Sequence, residues 1–248
     1  MDGTSLGLYL IATFIGGLTS GLSGFAMGLV LSGIWLHIIP PAQTAALIVG
    51  YGLLTQGYAI WKLRGAFSWR TVAPFVVGGG LGVPLGVMLL TYVDPAVLRP
   101  TLGAVLVLYS IYSLARPALR PIAAGIPADT GVGILNGVLG GLTGLTGIVV
   151  TVWSQVRGWS KDAQRAVFQP VNFATVVISA VAMSAAGAVT GETLELYVLG
   201  LPVVLAGLWL GFKLYGRLDD AAFRKVLLLL LLLSGAALVV PIAVGSLE

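Results

Sequence analysis

The sequence predicts an all-α polytopic membrane protein made of two inverted repeats, each a re-entrant helical hairpin followed by three transmembrane helices. Three observations carry this reading. Of the 248 residues, 58% are hydrophobic and only 9% charged, and the mean hydropathy is +1.02. Soluble domains carry about 25% charged residues, so charge here is too sparse to cover a water-facing surface. Apolar runs near or beyond bilayer-spanning length recur from end to end. A glycine-rich motif opens each half of the chain, and further matches follow it at a nearly constant offset.

This composition excludes a soluble enzyme, a nucleic-acid module and a disordered tail protein, although the sequence pI is near 9.5. Twelve of the 13 basic residues sit in short connections between apolar runs, as topology signals do. Cysteine is absent, which removes disulfides and thiolate metal sites. The start, Met1-Asp2-Gly3, has no basic stretch and no small-residue cleavage pattern after it, so it is not read as a signal peptide.

Charges and Gly/Pro clusters cut the chain into apolar blocks at about 6–39, 42–61, 71–93, 96–115, 130–156, 166–190, 196–212 and 226–245. The most polar break, 116–129, holds Arg116-Pro117, Arg120-Pro121, Gly125, Pro127 and Asp129. It reads as a linker between a first repeat, 1–115, and a second, 130–248. Gly16-Gly17-Leu18-Thr19 then Gly21-Leu22-Ser23-Gly24 answers Gly140-Gly141-Leu142-Thr143 then Gly144-Leu145-Thr146-Gly147. Ala42-Gln43-Thr44-Ala45 answers Ala163-Gln164-Arg165-Ala166. Gly82, Gly86, Asp94, Ala96 and Arg99 answer Gly207, Gly211, Asp219, Ala221 and Arg224, and the offset stays between 121 and 125.

Charge decides how the repeats thread. If every block crossed once, the basic residues would divide 8 to 5 between the two sides, a poor fit to the positive-inside rule. If the first block of each half turns back and leaves where it entered, Arg99 stands alone against the other 12. Length agrees. Block 130–156 has 27 residues, whereas two full helical crossings need about 20 each. Each first block is therefore read as a half-depth hairpin, with both termini outside.

The expected tips are Ser20-Gly21-Leu22-Ser23-Gly24 and Thr143-Gly144-Leu145-Thr146-Gly147. Non-helical backbone at membrane depth is tolerated where protein or a water-filled cavity satisfies it, and glycine supplies the open dihedrals. A half-helix starting at each tip would aim unpaired N–H groups and a positive dipole end at the bilayer centre, so the two tips together are expected to hold a small anion at the midplane. The hydroxyls of Ser20, Ser23, Thr143 and Thr146 could add donors. Gly82, Gly86, Gly207 and Gly211 instead read as helix-packing positions, from their Gly-xxx-Gly spacing.

Gly-Gly-Leu-Thr-x-Gly-Leu-x-Gly in the first half, and Gly-Gly-Leu-Thr-Gly-Leu-Thr-Gly with Trp159-Ser160-Lys161-Asp162-Ala163-Gln164-Arg165-Ala166-Val167-Phe168-Gln169-Pro170 in the second, resemble the TauE/SafE sulfite exporter family. The likeness covers nearly the whole chain. It implies a transporter of sulfite, sulfonates or related sulfur anions in the plasma or inner membrane. Phe25-Ala26-Met27-Gly28 and Ile148-Val149-Val150 stand where that family often has a glycine run or Gly-Gly-Pro, a departure that bears on substrate more than on fold.

Few other polar residues lie near the apolar blocks. Gln43 and Gln164 start the helices after the hairpins, where each either contacts substrate or caps a helix. Arg165, Gln169 and Asn172 share a helical face. Arg165 either draws an anion from the cytoplasm or snorkels at the membrane edge, and the deeper amides bond another helix or line a cavity. Asn136 and Gln155 flank the second hairpin with the same ambiguity. His37, near Pro40-Pro41, reads as an interfacial anchor.

No Asp or Glu falls inside an expected span, and no zinc motif, nucleophile elbow, aspartate pair or P-loop occurs. The reading is therefore a non-enzymatic transporter of a small anion, with no metal, no cofactor and no nucleic-acid partner, and with a homo-oligomer left open. The alternative is a structural or regulatory membrane protein whose glycines serve packing alone.

Overall fold

The computed structural model describes residues 2–35, 37–66, 68–89, 95–115, 121–143, 147–185 and 189–245. Among these residues there are ten α-helices and no strand: α1 (Gly3–Ser23), α2 (Met27–Trp35), α3 (Pro41–Lys62), α4 (Trp69–Leu89), α5 (Pro95–Ala115), α6 (Ile126–Thr143), α7 (Ile148–Val156), α8 (Lys161–Ala185), α9 (Gly191–Tyr215) and α10 (Asp220–Gly245). By length and hydropathy α1 and α9 qualify as candidate membrane spans. At 1.5 Å per residue their 21 and 25 residues reach about 30 Å or more. The nine-residue α2 and α7 reach only about 13 Å.

Local chemistry sets several boundaries. Asp2 caps α1 by accepting from the Ser5 N–H at 3.1 Å, and hydrogen bonds from Ser5 hold its carboxyl below the usual carboxylate range. Pro41 opens α3, where a missing N–H costs nothing. Thr190 caps α9 through the Thr193 N–H, and Asp219 caps α10 through the Ala222 N–H. Helix α6 begins at Ile126, inside the expected linker, so Asp129 is helical and buried rather than part of a polar connection.

The helices group into two compact units, Met1–Ala66 with Gln169–Leu218, and Phe67–Phe168 with Asp219–Glu248. Each unit therefore draws helices from both halves of the sequence.

In the first unit, α1 packs along α9. A Cβ on Gly17 would land on the Val204 carbonyl oxygen, one on Gly21 on Leu208 O, one on Gly207 on Phe14 O and one on Gly211 on Leu18 O. Residue numbers rise together on both helices, so they run parallel. The α2 helix folds back on α1: Leu31 fills the space beside Gly16, and Trp35 stacks on Tyr9 with ring centroids 5.0 Å apart. The α3 helix runs parallel to α1, since Tyr51 meets Tyr9 and Gln56 meets Gly24. The core of this unit is aromatic. The Tyr9 and Tyr51 hydroxyls lie 2.9 Å apart and hold α9 at the Leu196 carbonyl, which Tyr9 Oη reaches at 2.7 Å. Gly200 leaves room for both phenols.

In the second unit, α4 packs along α6 by the same device. Gly78, Gly82 and Gly86 lie against the backbone of Thr130, Ile134 and Val138, while Gly133 and Gly137 lie against Phe75 and Gly79. This pair also runs parallel. Helices α5 and α10 pack antiparallel: Gly235 lies on Gly103, whereas Arg224 donates to the Ser113 carbonyl at 2.9 Å. The packing expected at Gly82, Gly86, Gly207 and Gly211 is thus present, and helix backbones touch where each glycine stands.

The first arm of each hairpin runs along most of a long neighbouring helix. The α1 contacts climb α9 as far as Gly211, four residues short of its end, and α6 contacts climb α4 to Gly86, three residues short of Leu89. Gly21 of α1 stands level with Gly211 near the end of α9, and Val138 of α6 with Gly86 near the end of α4. The physical reason is the glycine seam: it favours continued backbone contact over breaking the helix halfway.

Candidate functional site

The two hairpins break at matching glycines. Gly24 has φ 89° and Gly147 has φ 84°, both in the left-handed region that favours glycine, and each precedes a nine-residue helix. The first break falls later than expected. Ser20, Gly21 and Ser23 remain in the last turn of α1, because the Ser23 hydroxyl donates back to Thr19 O at 2.7 Å and Gly21 is needed against Gly211. The Ser23 hydroxyl, its proton already given to Thr19, accepts from the Ala26 N–H at 3.4 Å and so helps start α2. In the second hairpin α6 runs to Thr143; its side chain, Gly144 and Thr146 lie outside the described residues.

A side-chain amide holds each tip glycine, with opposite polarity. Gln56, from α3, donates Nε2–H to the Gly24 carbonyl at 2.9 Å. Asn136, from α6, accepts the Gly147 N–H on Oδ1 at 3.1 Å. Both amides are buried. Sequence reasoning passed over Gln56, and the available signal was an amide inside the apolar block 42–61. The N-cap of α7 is Gly147, which has no side chain to close the helix start. Thr151 N–H bonds Gly147 O at 2.9 Å in the first turn of α7. Neither α2 nor α7 carries an acidic residue.

The base of the second hairpin is clamped. Asp129 accepts from Trp153 Nε1 at 2.8 Å and from Arg157 NH1 at 3.0 Å, and Arg157 lies over the Trp159 ring at 5.2 Å. Gly158, at φ 64°, turns the chain toward α8.

The remaining candidates separate. Gln164 is tied to the protein through Nε2, which donates to Trp159 O at 2.8 Å, while Oε1 lies 3.4 Å from the Ser154 hydroxyl, whose proton goes to Thr151 O. Gln43 sits half-buried in the first turn of α3. Arg165 is 0% exposed, so it does not snorkel at a membrane edge. It and the equally buried Gln169 are engaged within the protein. Asn172 is buried with its Oδ1 unpartnered. No cluster of His, Asp and Glu that could hold a metal ion occurs among the described residues.

Long apolar helices, exposed Leu, Val and Trp along them, and helices broken at glycine define a helical membrane protein. The chain belongs to the TauE/SafE family: it matches the family described as Sulfite exporter TauE/SafE over residues 9–238. Proteins of this family are transporters, not enzymes. A curated relative from Cupriavidus necator, named probable sulfite/organosulfonate exporter TauE, is 24% identical over 226 residues, covering 89% of this chain and 88% of its own. No solved structure matches the chain.

Proposed function

We propose that this protein exports small sulfur-containing anions, sulfite or organosulfonates, across the plasma or inner membrane, and that each hairpin tip is a binding station for the anion. The observation that carries the proposal is the start of α7 at a left-handed glycine. It offers several N–H donors and a positive dipole end, with no acidic residue on the helix. The family and its curated relative supply the substrate class.

The test is ligand-dependent melting of the purified protein in detergent. Sulfite or a simple sulfonate should raise the melting temperature in proportion to the logarithm of its concentration above Kd. A melting temperature indifferent to both would favour a structural or regulatory membrane protein instead.

The same proposal includes inverted repeats with both termini outside. Three helix directions support it. The α3 and α9 helices run parallel to α1, and α5 runs antiparallel to its repeat counterpart α10. Threading every block once would make α3 antiparallel to α1 and α5 parallel to α10. Exposed Trp61 and Trp209 sit beside Arg64 and Lys213 at 5.5 and 5.0 Å, as interfacial anchors do. Single cysteines at Arg64 and Arg217 in this cysteine-free chain should both label from the cytoplasmic side. Labelling from opposite sides would end the inverted reading.

A further inference from the structure

The buried face of α7 carries three polar side chains, and two are spent. Thr151 donates Oγ1–H to Gly147 O at 2.7 Å, and Ser154 donates Oγ–H to Thr151 O at 2.8 Å. Gln155, only 8% exposed, has no hydrogen-bond partner for either Nε2 or Oε1. Burying an amide without partners costs folding free energy, and no described residue supplies a partner. Gln155 precedes Arg157 by two residues, and the Arg157 charge is offset by Asp129. An amide there reads a ligand by hydrogen bonds rather than by charge.

We infer that Gln155 is a substrate contact at the base of the second hairpin, and that it selects a sulfur oxyanion bearing a hydrogen-bond donor of its own. The chemistry follows from the two idle ends. The amide NH2 donates to an oxyanion oxygen, and the amide carbonyl accepts from a hydroxyl on the same ligand. Hydrogensulfite and hydroxyl-bearing sulfonates offer both; a plain alkanesulfonate offers acceptors alone. This rests on the exporter reading and adds to it a residue and a preference.

The experiment compares the full chain with Gln155→Met and Gln155→Leu, apolar replacements of similar size, by melting without ligand and by calorimetry. The ligands are ethanesulfonate and 2-hydroxyethanesulfonate, which share size class and charge and differ by one hydroxyl. Because the amide is unpartnered in the fold, both variants should melt at or above the wild-type temperature without ligand. Affinity for 2-hydroxyethanesulfonate should fall roughly tenfold and that for ethanesulfonate about threefold, the scale of one or two lost hydrogen bonds, so the wild-type preference for the hydroxyl narrows. Lower ligand-free melting in both variants would make Gln155 a structural residue and overturn the inference. So would unchanged affinities for both sulfonates, with the exporter reading intact. A wild-type protein that binds neither these sulfonates nor sulfite would overturn the inference and the exporter reading together.

Discussion

Gly211→Leu and Gly82→Leu should each abolish recovery of folded protein, and the alanine substitutions should already lower the melting temperature clearly. At Gly211 a Cβ would land on the Leu18 carbonyl oxygen, and at Gly82 on Ile134 O. Neither obstacle is the far end of a flexible side chain. Helix backbones would have to separate along α1–α9 or α4–α6, the most extensive helix pairs of their units. Overpacking of this kind costs about 1–3 kcal/mol for small additions, and a leucine adds several atoms more. Against a total stability of about 5–15 kcal/mol, that is a large share. Gly207→Leu and Gly86→Leu belong to the same seams and should behave alike. The check is thermal melting together with size-exclusion behaviour in detergent. Wild-type melting with a selective loss of transport would show that these glycines serve the substrate and not the packing.

Gly147→Val should eliminate anion binding at the second tip in protein that still folds, and Gly24→Val should do so at the first. Both glycines hold φ near 85–90°, where an L-residue costs roughly 1–2 kcal/mol and a β-branched one more. The chain can escape that strain by unwinding the start of α7 or α2, which scatters the N–H groups proposed to hold the anion. Asn136 and Gln56 would lose their backbone partners at the same time. Calorimetry with sulfite on the folded variants is the measurement. Undiminished affinity in both would move the site away from the tips, toward the buried face of Arg165, Gln169 and Asn172.

The sequence made the solvent legible, because a chain with 9% charged residues cannot meet water over its whole surface. It also marked the two places where helices break, since Gly24 and Gly147 occupy matching positions in a repeated glycine-rich motif. The packing role of Gly82, Gly86, Gly207 and Gly211 was readable for a similar reason: spacing of four keeps small residues on one helix face. Family membership followed from the order of these motifs along the chain.

Partners across the fold were not legible. Gln56 and Asn136 support the two tips with opposite hydrogen-bonding polarity, yet their positions do not correspond in the repeat, so no periodicity announces them. Arg165 looked like an edge residue because it stands at the start of an apolar block, but tertiary packing buries it completely. Gln164 looked available and is engaged through Nε2; Gln155 looked equally ambiguous and has no partner. Hydrogen-bond satisfaction is a property of neighbours, and those neighbours come from other segments of the chain. The reach of the first arms was likewise decided by tertiary structure. Length arithmetic limits what a block can cross alone, but the α1–α9 and α4–α6 seams extend each first arm until backbone contact runs out. Composition and spacing thus determined the membrane class, the breaks and the small-residue seams, whereas the reach of the first arms along their neighbours and the hydrogen bonding of the buried amides were set by contacts that exist only in the folded chain.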